Sequence, residues 1–309
     1  MASVARPSVV LANSFEARSG KPLWVFFVLL VFHQTVVAGA FPFAKIGLNQ
    51  FNPFVYAFYR FCISSLIYIP ILLRLRKNGS IEKMDNLKIF FIGLLLIPLN
   101  QVVFLIGQSL TSAGHASLMF AATPVFVYLL AVPFLGEKLK IFRIVGILIA
   151  IAGVYIVVSG GGSQFGFDFL LGDLLVLVAV AAWAGATVLG KPLALKYGAF
   201  RVMGLALVYG SVVYFPYGLY RAINADYSGI TITGWMSIAY MAVIISVFAY
   251  VLWYWVLKYL EASRVAIMQN IQPIIASLLA AFFLGEAITS IFIIGGVIII
   301  GGVVLTEIK

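Results

Sequence analysis

The same four residues, Phe-Leu-Gly-Glu, close an apolar run at 134–137 and again at 283–286, and the 149-residue offset between them extends well beyond the tetrapeptide. It carries Pro124 onto Pro273, Gly146 onto Gly295 and Gly153 onto Gly302. Upstream, an offset of 146 sets Phe43-Ala44-Lys45 against Leu189-Gly190-Lys191 and Phe51–Phe54 against Tyr197–Phe200. A chain that repeats itself over half its length builds one structural unit twice.

The unit cannot fold in water. Of the 309 residues, 63% are hydrophobic and 10% charged, against about 25% charged in an ordinary soluble domain. Helices surrounded by hydrocarbon can be apolar on every face, and a ~30 Å bilayer core takes about 20 residues of helix. The chain divides into ten such stretches, at 22–44, 52–73, 87–109, 113–134, 141–159, 170–190, 200–220, 232–257, 263–284 and 288–306. The expected fold class is an all-α polytopic membrane protein of ten transmembrane helices. Its domains are a tail at 1–21, a first five-helix repeat at 22–159 and a second at 170–306.

Five is odd, so the second repeat enters the membrane from the opposite side, giving inverted repeats. Charge supports this and sets the orientation. Of the 20 Lys and Arg, Lys45 and Arg221 fall outside, Arg60 lies within the second stretch, and the other seventeen fall on the side of the N-terminus. The positive-inside rule then places both termini in the cytoplasm. The formal charge of +10 is an orientation signal, and nucleic acid is not an expected partner. Lys21, the run 22–32 and Ala38-Gly39-Ala40 imitate a cleavable signal peptide. His33-Gln34 interrupts that run, however, and the repeat needs this helix as the partner of the sixth. The single cysteine, Cys62, supports neither an intrachain disulfide nor a cysteine metal cluster.

In each Phe-Leu-Gly-Glu turn the glycine can leave a helix in a left-handed conformation, and the carboxylate suits the positive N-terminal end of the next helix. Glu137 and Glu286 are read as structural in preference to a gating salt bridge. The ten helices, the motif Pro…Phe-Leu-Gly-Glu…Gly…Gly ending each half, and Trp183–Lys191 (WAGATVLGK) on helix 6 resemble the EamA-type transporters of the drug/metabolite transporter superfamily. The resemblance covers 22–306. It implies a basket of ten helices around a central cavity, open alternately to either side, that exports amino acids or other small metabolites.

Arg60 lies seven residues past Pro53, about 10 Å into helix 2, where an arginine costs ~2.5–3.5 kcal/mol on insertion scales. The resemblance supports an arginine at this place. Carboxylates are expected to be absent from the helices, leaving amides, hydroxyls, carbonyls, water or an anionic substrate group as partners. A structural arginine bonded to helix-end carbonyls stands equally open. On helix 9, Gln269 and Gln272 share a face beside Pro273, which frees a carbonyl; interhelical glue is the alternative. Helix 4 offers only Phe120, Thr123 and Pro124 at the equivalent place. Helix 3 adds Pro98, Asn100, Gln101 and Gln108, with Gln101 and Gln108 on one stripe. Helix 8 supplies Tyr250, Trp253 and Tyr254. His33, near the midplane of helix 1, is the one intramembrane group titrating near neutral pH, read as a satisfied core histidine before a proton carrier. His115 is expected at the outer surface.

The candidate substrate-binding set is therefore Arg60, Gln101, Gln269, Gln272, Tyr250 and His33, with no catalytic residue, metal or cofactor. The small faces of Gly146, Ala150 and Gly153, and of Gly295 and Gly302, point to packing within the bundle, with a homodimer the weaker option. The reading is a multi-pass secondary transporter in the inner or plasma membrane, its partners a small-molecule substrate and the lipid bilayer. One alternative is an organellar nucleotide-sugar or phosphate-ester antiporter, which needs several cavity cations. The other is an integral-membrane lipid enzyme, which needs a carboxylate or metal cluster.

Overall fold

The structure is a computed structural model describing residues 22–75, 79–111, 116, 119–138, 140–160, 170–272, 274–275, 278 and 290–307. The tail 1–21, His115, Pro273 and the second Phe-Leu-Gly-Glu turn with Glu286 lie outside the described residues. The described residues form helices and no strand. In chain order α1 is Leu23–Ala38, continued past Gly39 by Ala40–Leu48; α2 is Pro53–Leu75; α3 is Lys83–Leu110; α4 is Thr123–Leu135; and α5 is Ile141–Gly160. Then α6 is Leu170–Tyr197; α7 is Ala199–Ile223; α8 is Ile232–Leu257; α9 is Ala262–Ile267, running on as a 3-10 turn at Met268–Ile271; and α10 is Ser290–Glu307.

Among the described residues six helices are long and apolar enough to cross a membrane: α1, α2, α3, α6, α7 and α8. Three shorter apolar segments lie at Thr123–Leu135, Ile141–Gly153 and Ile293–Leu305. Large apolar side chains such as Leu66, Leu129, Val212 and Val297 stand more than half exposed, as a hydrocarbon surround permits. Several helices run past their expected ends. α6 extends to Tyr197, and α3 begins at Lys83, which brings Asp85 into its first turn; Asp173 sits in the first turn of α6, within the expected stretch 170–190. This corrects the expectation of carboxylate-free helices. At a helix N-terminus a carboxylate is stabilised by the macrodipole, and both are also bonded. Asp173 accepts from the Thr111 hydroxyl at 2.6 Å, and Asp85 from Lys88, Lys196 and Tyr197 at 2.8–2.9 Å.

Two helices widen midway. α3 is π-helical over Leu95–Val102 and α8 over Tyr240–Ala249. The 149-residue offset lays the first stretch on 244–251, so the widened turns occupy overlapping places in the two halves. Pro98 explains one of them, since its ring lacks the N–H that a regular turn requires.

The packing is symmetric under exchange of halves. α2 packs on α7 and α5 on α10; α3 packs on α6 as α8 does on α1, and α4 packs on α6 as α9 does on α1. In lipid no hydrophobic effect draws helices together, so close van der Waals approach must do so. The α5–α10 seam shows how. A methyl added at Gly302 would lie 2.6 Å from the Ala150 backbone nitrogen, and one at Gly153 would lie 2.8 Å from that of Ile299. The small-residue faces expected on these two helices are turned toward each other.

Candidate functional site

α1, α2, α3, α6, α8 and α9 enclose a cavity of about 60 Å³, room for a handful of waters at ~10–15 Å³ each. His33, Arg60, Gln101, Tyr250, Gln269 and Gln272 all line it. Each is buried, between 0% and 6% exposed.

Arg60 organises the cavity. Its Nε donates to Ser246 Oγ at 2.9 Å and its Nη1 to Gln101 Oε1 at 2.6 Å, while Nη2 has no hydrogen-bond partner. Ser246 donates onward to the Met241 carbonyl at 2.9 Å, five residues back, a bond the widened turn of α8 provides. Gln101 donates to Asn100 Oδ1, and Asn100 donates to the Ala179 carbonyl at 2.7 Å. A relay of hydrogen bonds thus runs from α6 through α3 and α2 to α8, and every partner of the guanidinium in it is neutral. The Phe61 ring lies 5.1 Å from the guanidinium carbon. The Tyr250 hydroxyl approaches the guanidinium closely enough to act on it electrostatically and as a short-range polar contact, though outside the geometry of a regular hydrogen bond.

Among the described residues, four further polar atoms at the cavity find no regular hydrogen-bond partner: His33 Nδ1, Trp183 Nε1, Gln269 Oε1 and the Tyr250 hydroxyl. His33 Nε2 donates to the Ala249 carbonyl at 3.1 Å, which leaves Nδ1 of the neutral ring as an acceptor. The unmatched groups are then two donors, Arg60 Nη2 and Trp183 Nε1; two acceptors, His33 Nδ1 and Gln269 Oε1; and a hydroxyl that can act either way. Buried polar groups are almost always paired, with protein or with ordered water, so these five donors and acceptors are open to whatever enters the cavity. The remaining wall is apolar, with Val37, Ala40, Met241 and Ile245 beside Phe41, Phe104 and Phe120, which meet edge to face at 5.2–6.2 Å.

Neighbours of these residues do other work. Gln272 donates to Gln34 Oε1 at 2.5 Å and is partly committed to α1. Gln108 reaches the Phe41 carbonyl at 3.2 Å and does not line the cavity, although it shares a stripe with Gln101. Trp253 and Tyr254 pack on α6 through Thr187 and the Ala186 carbonyl. Thr123 turns back on the Phe120 carbonyl at 2.6 Å. Sequence reasoning missed Trp183 as a lining residue and Ser246 as a partner of Arg60; Trp183 stood only in the helix 6 motif. The two lysines paired by the repeat take equivalent partners at helix ends. Lys45 donates to the Gln108 and Thr111 carbonyls of α3, and Lys191 to the Leu260 carbonyl past α8. Thr111 and Leu260 are themselves 149 apart, and neither lysine lines the cavity.

Residues 23–159 and 170–308 each match the EamA-like transporter family. An uncharacterized transporter of Archaeoglobus fulgidus is 29% identical over 91% of this chain and 97% of its own length. The transporter YetK of Bacillus subtilis is 26% identical over 92% of this chain and 87% of its own. A probable terminal-alkyne amino-acid exporter of Streptantibioticus cattleyicolor is 27% identical over 92% of this chain and 93% of its own. A solved crystal structure superposes with a TM-score of 0.70 at 16% identity, covering 91% of this chain and 96% of the other, a likeness of fold.

Proposed function

The chain belongs to the EamA-like transporter family, and we propose that it exports or exchanges small organic metabolites bearing a carboxylate, amino acids among them, by alternating access. It is a multi-pass membrane transporter with a small-molecule substrate. The observation that carries the substrate reading is Arg60: a buried guanidinium with neutral partners and one nitrogen unpaired at the cavity. A cation held in a low dielectric without a counter-ion is costly, and a carboxylate between Nη2 and the Tyr250 hydroxyl would neutralise it. At the other pole an ammonium would meet Gln269 Oε1 and His33 Nδ1, with the side chain against the three phenylalanines. The amino-acid exporter among the relatives supports the same reading.

Alternating access needs two halves that rock about a shared site. The exchange-symmetric packing, the overlapping widened turns and the equivalent carbonyl bonds of Lys45 and Lys191 support two repeats, 22–159 and 170–306. Five helices in each would invert the second. The charge asymmetry supports cytoplasmic termini in a cell membrane. A phosphate-ester antiporter is disfavoured, because Lys45 and Lys191 are tied to carbonyls outside the cavity.

The test is ligand-induced stabilisation of the purified protein, comparing an amino acid with its amide and with the amine that lacks the carboxylate. Stabilisation should follow the carboxylate. Equal shifts for all three, or for none across a panel of side chains, would remove the reading.

A further inference from the structure

Past the cavity, α4, α6, α8 and α9 run to one end of the bundle, where a buried charged cluster lies that the site does not use. Glu137 leaves α4 just after Gly136, whose left-handed φ of 66° turns the chain out of the helix. The carboxylate does not serve the following helix α5. Its Oε1 accepts the Ala262 N–H at 2.7 Å, its Oε2 accepts the Ser263 hydroxyl, and both donors begin α9 in the other half. Arg143 of α5 lies 3.7 Å from Glu137, donates to Ser263 at 2.9 Å and pairs with Glu261. Lys191 of α6 lies 4.0 Å from Glu137. Glu137 and Arg143 are 8% and 4% exposed.

Position comes first. Ala262 precedes Gln269 by seven residues and Lys191 follows Trp183 by eight, about 10 and 12 Å along their helices, so the cluster sits beyond the cavity toward one end. Connectivity comes second. Glu137 and Arg143 belong to the first half, and Lys191, Glu261 and Ser263 to the second, so the cluster ties the two halves together at this end. Energetics comes third. A buried ion pair adds little to stability over apolar packing, because both charges must be stripped of water. When this end opens, water returns to each charge and offsets the lost pairing, whereas an apolar plug would expose its surface at full cost. A contact that must form and break repeatedly is better made of charge.

We propose that Glu137, paired with Arg143 and Lys191, is the latch that closes the central cavity at this end, and that these ion pairs part in each transport cycle. The idea rests on the transporter reading but not on any substrate, and its test uses none.

Glu137→Gln keeps the oxygen that accepts the Ala262 N–H while removing the ion pairs, which separates capping of α9 from latching. In full-length protein carrying Cys62→Ser and Val37→Cys, the introduced thiol lines the cavity. Its labelling by a membrane-impermeant maleimide is followed in vesicles of either orientation. Glu137→Gln should speed labelling from the side that bears Lys138 and Lys258 about tenfold, equivalent to ~1.4 kcal/mol, with no change from the other side. Arg143→Gln should act alike, and the double variant should add little. Unchanged labelling in folded Glu137→Gln protein, or equal acceleration from both sides, overturns the latch. If Glu137→Gln fails to fold, Lys191→Gln carries the same test, since its ammonium plays no part in the cap. Faster labelling in a protein that binds no carboxylate ligand would keep the latch and reject the substrate reading.

Discussion

Replacing Arg60 by methionine separates a structural arginine from a ligand-binding one, because the two readings differ in how much stability the change removes. Arg60 makes two hydrogen bonds, to Ser246 and Gln101, and both partners are neutral. At ~1.5–3 kcal/mol for each bond to a charged group, their loss exceeds by at most about 3 kcal/mol the ~2.5–3.5 kcal/mol that a mid-membrane arginine costs, and methionine refills most of the volume. The melting temperature should therefore fall by less than about 10 °C. Ligand binding should not be spared. One nitrogen, Nη2, is free for a carboxylate, and one hydrogen bond to a charged group is worth ~1.5–3 kcal/mol, roughly 10- to 150-fold in affinity. That loss should be confined to ligands with a carboxylate, while their amides change by less than about threefold. Arg60→Lys should recover little, since one ammonium cannot keep the Ser246 and Gln101 bonds and also reach the cavity. Isothermal titration with each acid and amide pair, beside a melting curve, reads both quantities. A drop of more than about 10 °C, or equal loss for acid and amide, would make Arg60 a scaffold residue.

Gln269→Leu should reorder ligand affinities with little change in melting temperature, whereas Gln272→Leu should mainly destabilise, by ~1–3 kcal/mol, because it strands buried Gln34; a ligand panel with melting curves tells them apart. Burial alone would raise the Glu261 carboxyl, but the hydrogen bond from Arg143 and the charges of Arg143, Arg264 and Lys140 outweigh it and hold it below the ordinary carboxylate range. Its stabilising contribution is then present above the unfolded carboxylate pKa and lost as pH falls through the folded value, so Glu261→Gln should flatten the acid side of a melting-temperature profile. Reporter fusions near Gly79, Gly162, Gly198 and Asp226 should read inside, outside, inside, outside, and two reversed readings would remove the inverted repeat.

The polar members of the site were legible because an amide, imidazole or guanidinium stands out in a helix that is otherwise apolar. That is how Arg60, Gln101, Gln269, Gln272, Tyr250 and His33 could be chosen together, and all six line one cavity. The aromatic wall was not legible, since with 26 phenylalanines in the chain nothing distinguishes Phe41, Phe104 and Phe120 from those that face outward. Ser246 was hidden for another reason. Its register depends on the widened turn over 240–249, and only Pro98 on α3 gives such a turn a visible cause. Glu137 was read as a helix-terminus carboxylate, and it is one. The helix it serves begins 125 residues further on, a pairing that local sequence cannot disclose.

The glycine seam between α5 and α10 has a mechanical consequence. The notch at Gly302 is filled by main chain of α5, and that at Gly153 by main chain of α10 together with the Ile299 side chain, so sliding one helix along the other by part of a turn would drive backbone into backbone. The pair behaves as a keyed joint. Any swing that carries the cavity from one face of the membrane to the other has to be made by the remaining helices acting as lever arms, with α5 and α10 as their common fulcrum.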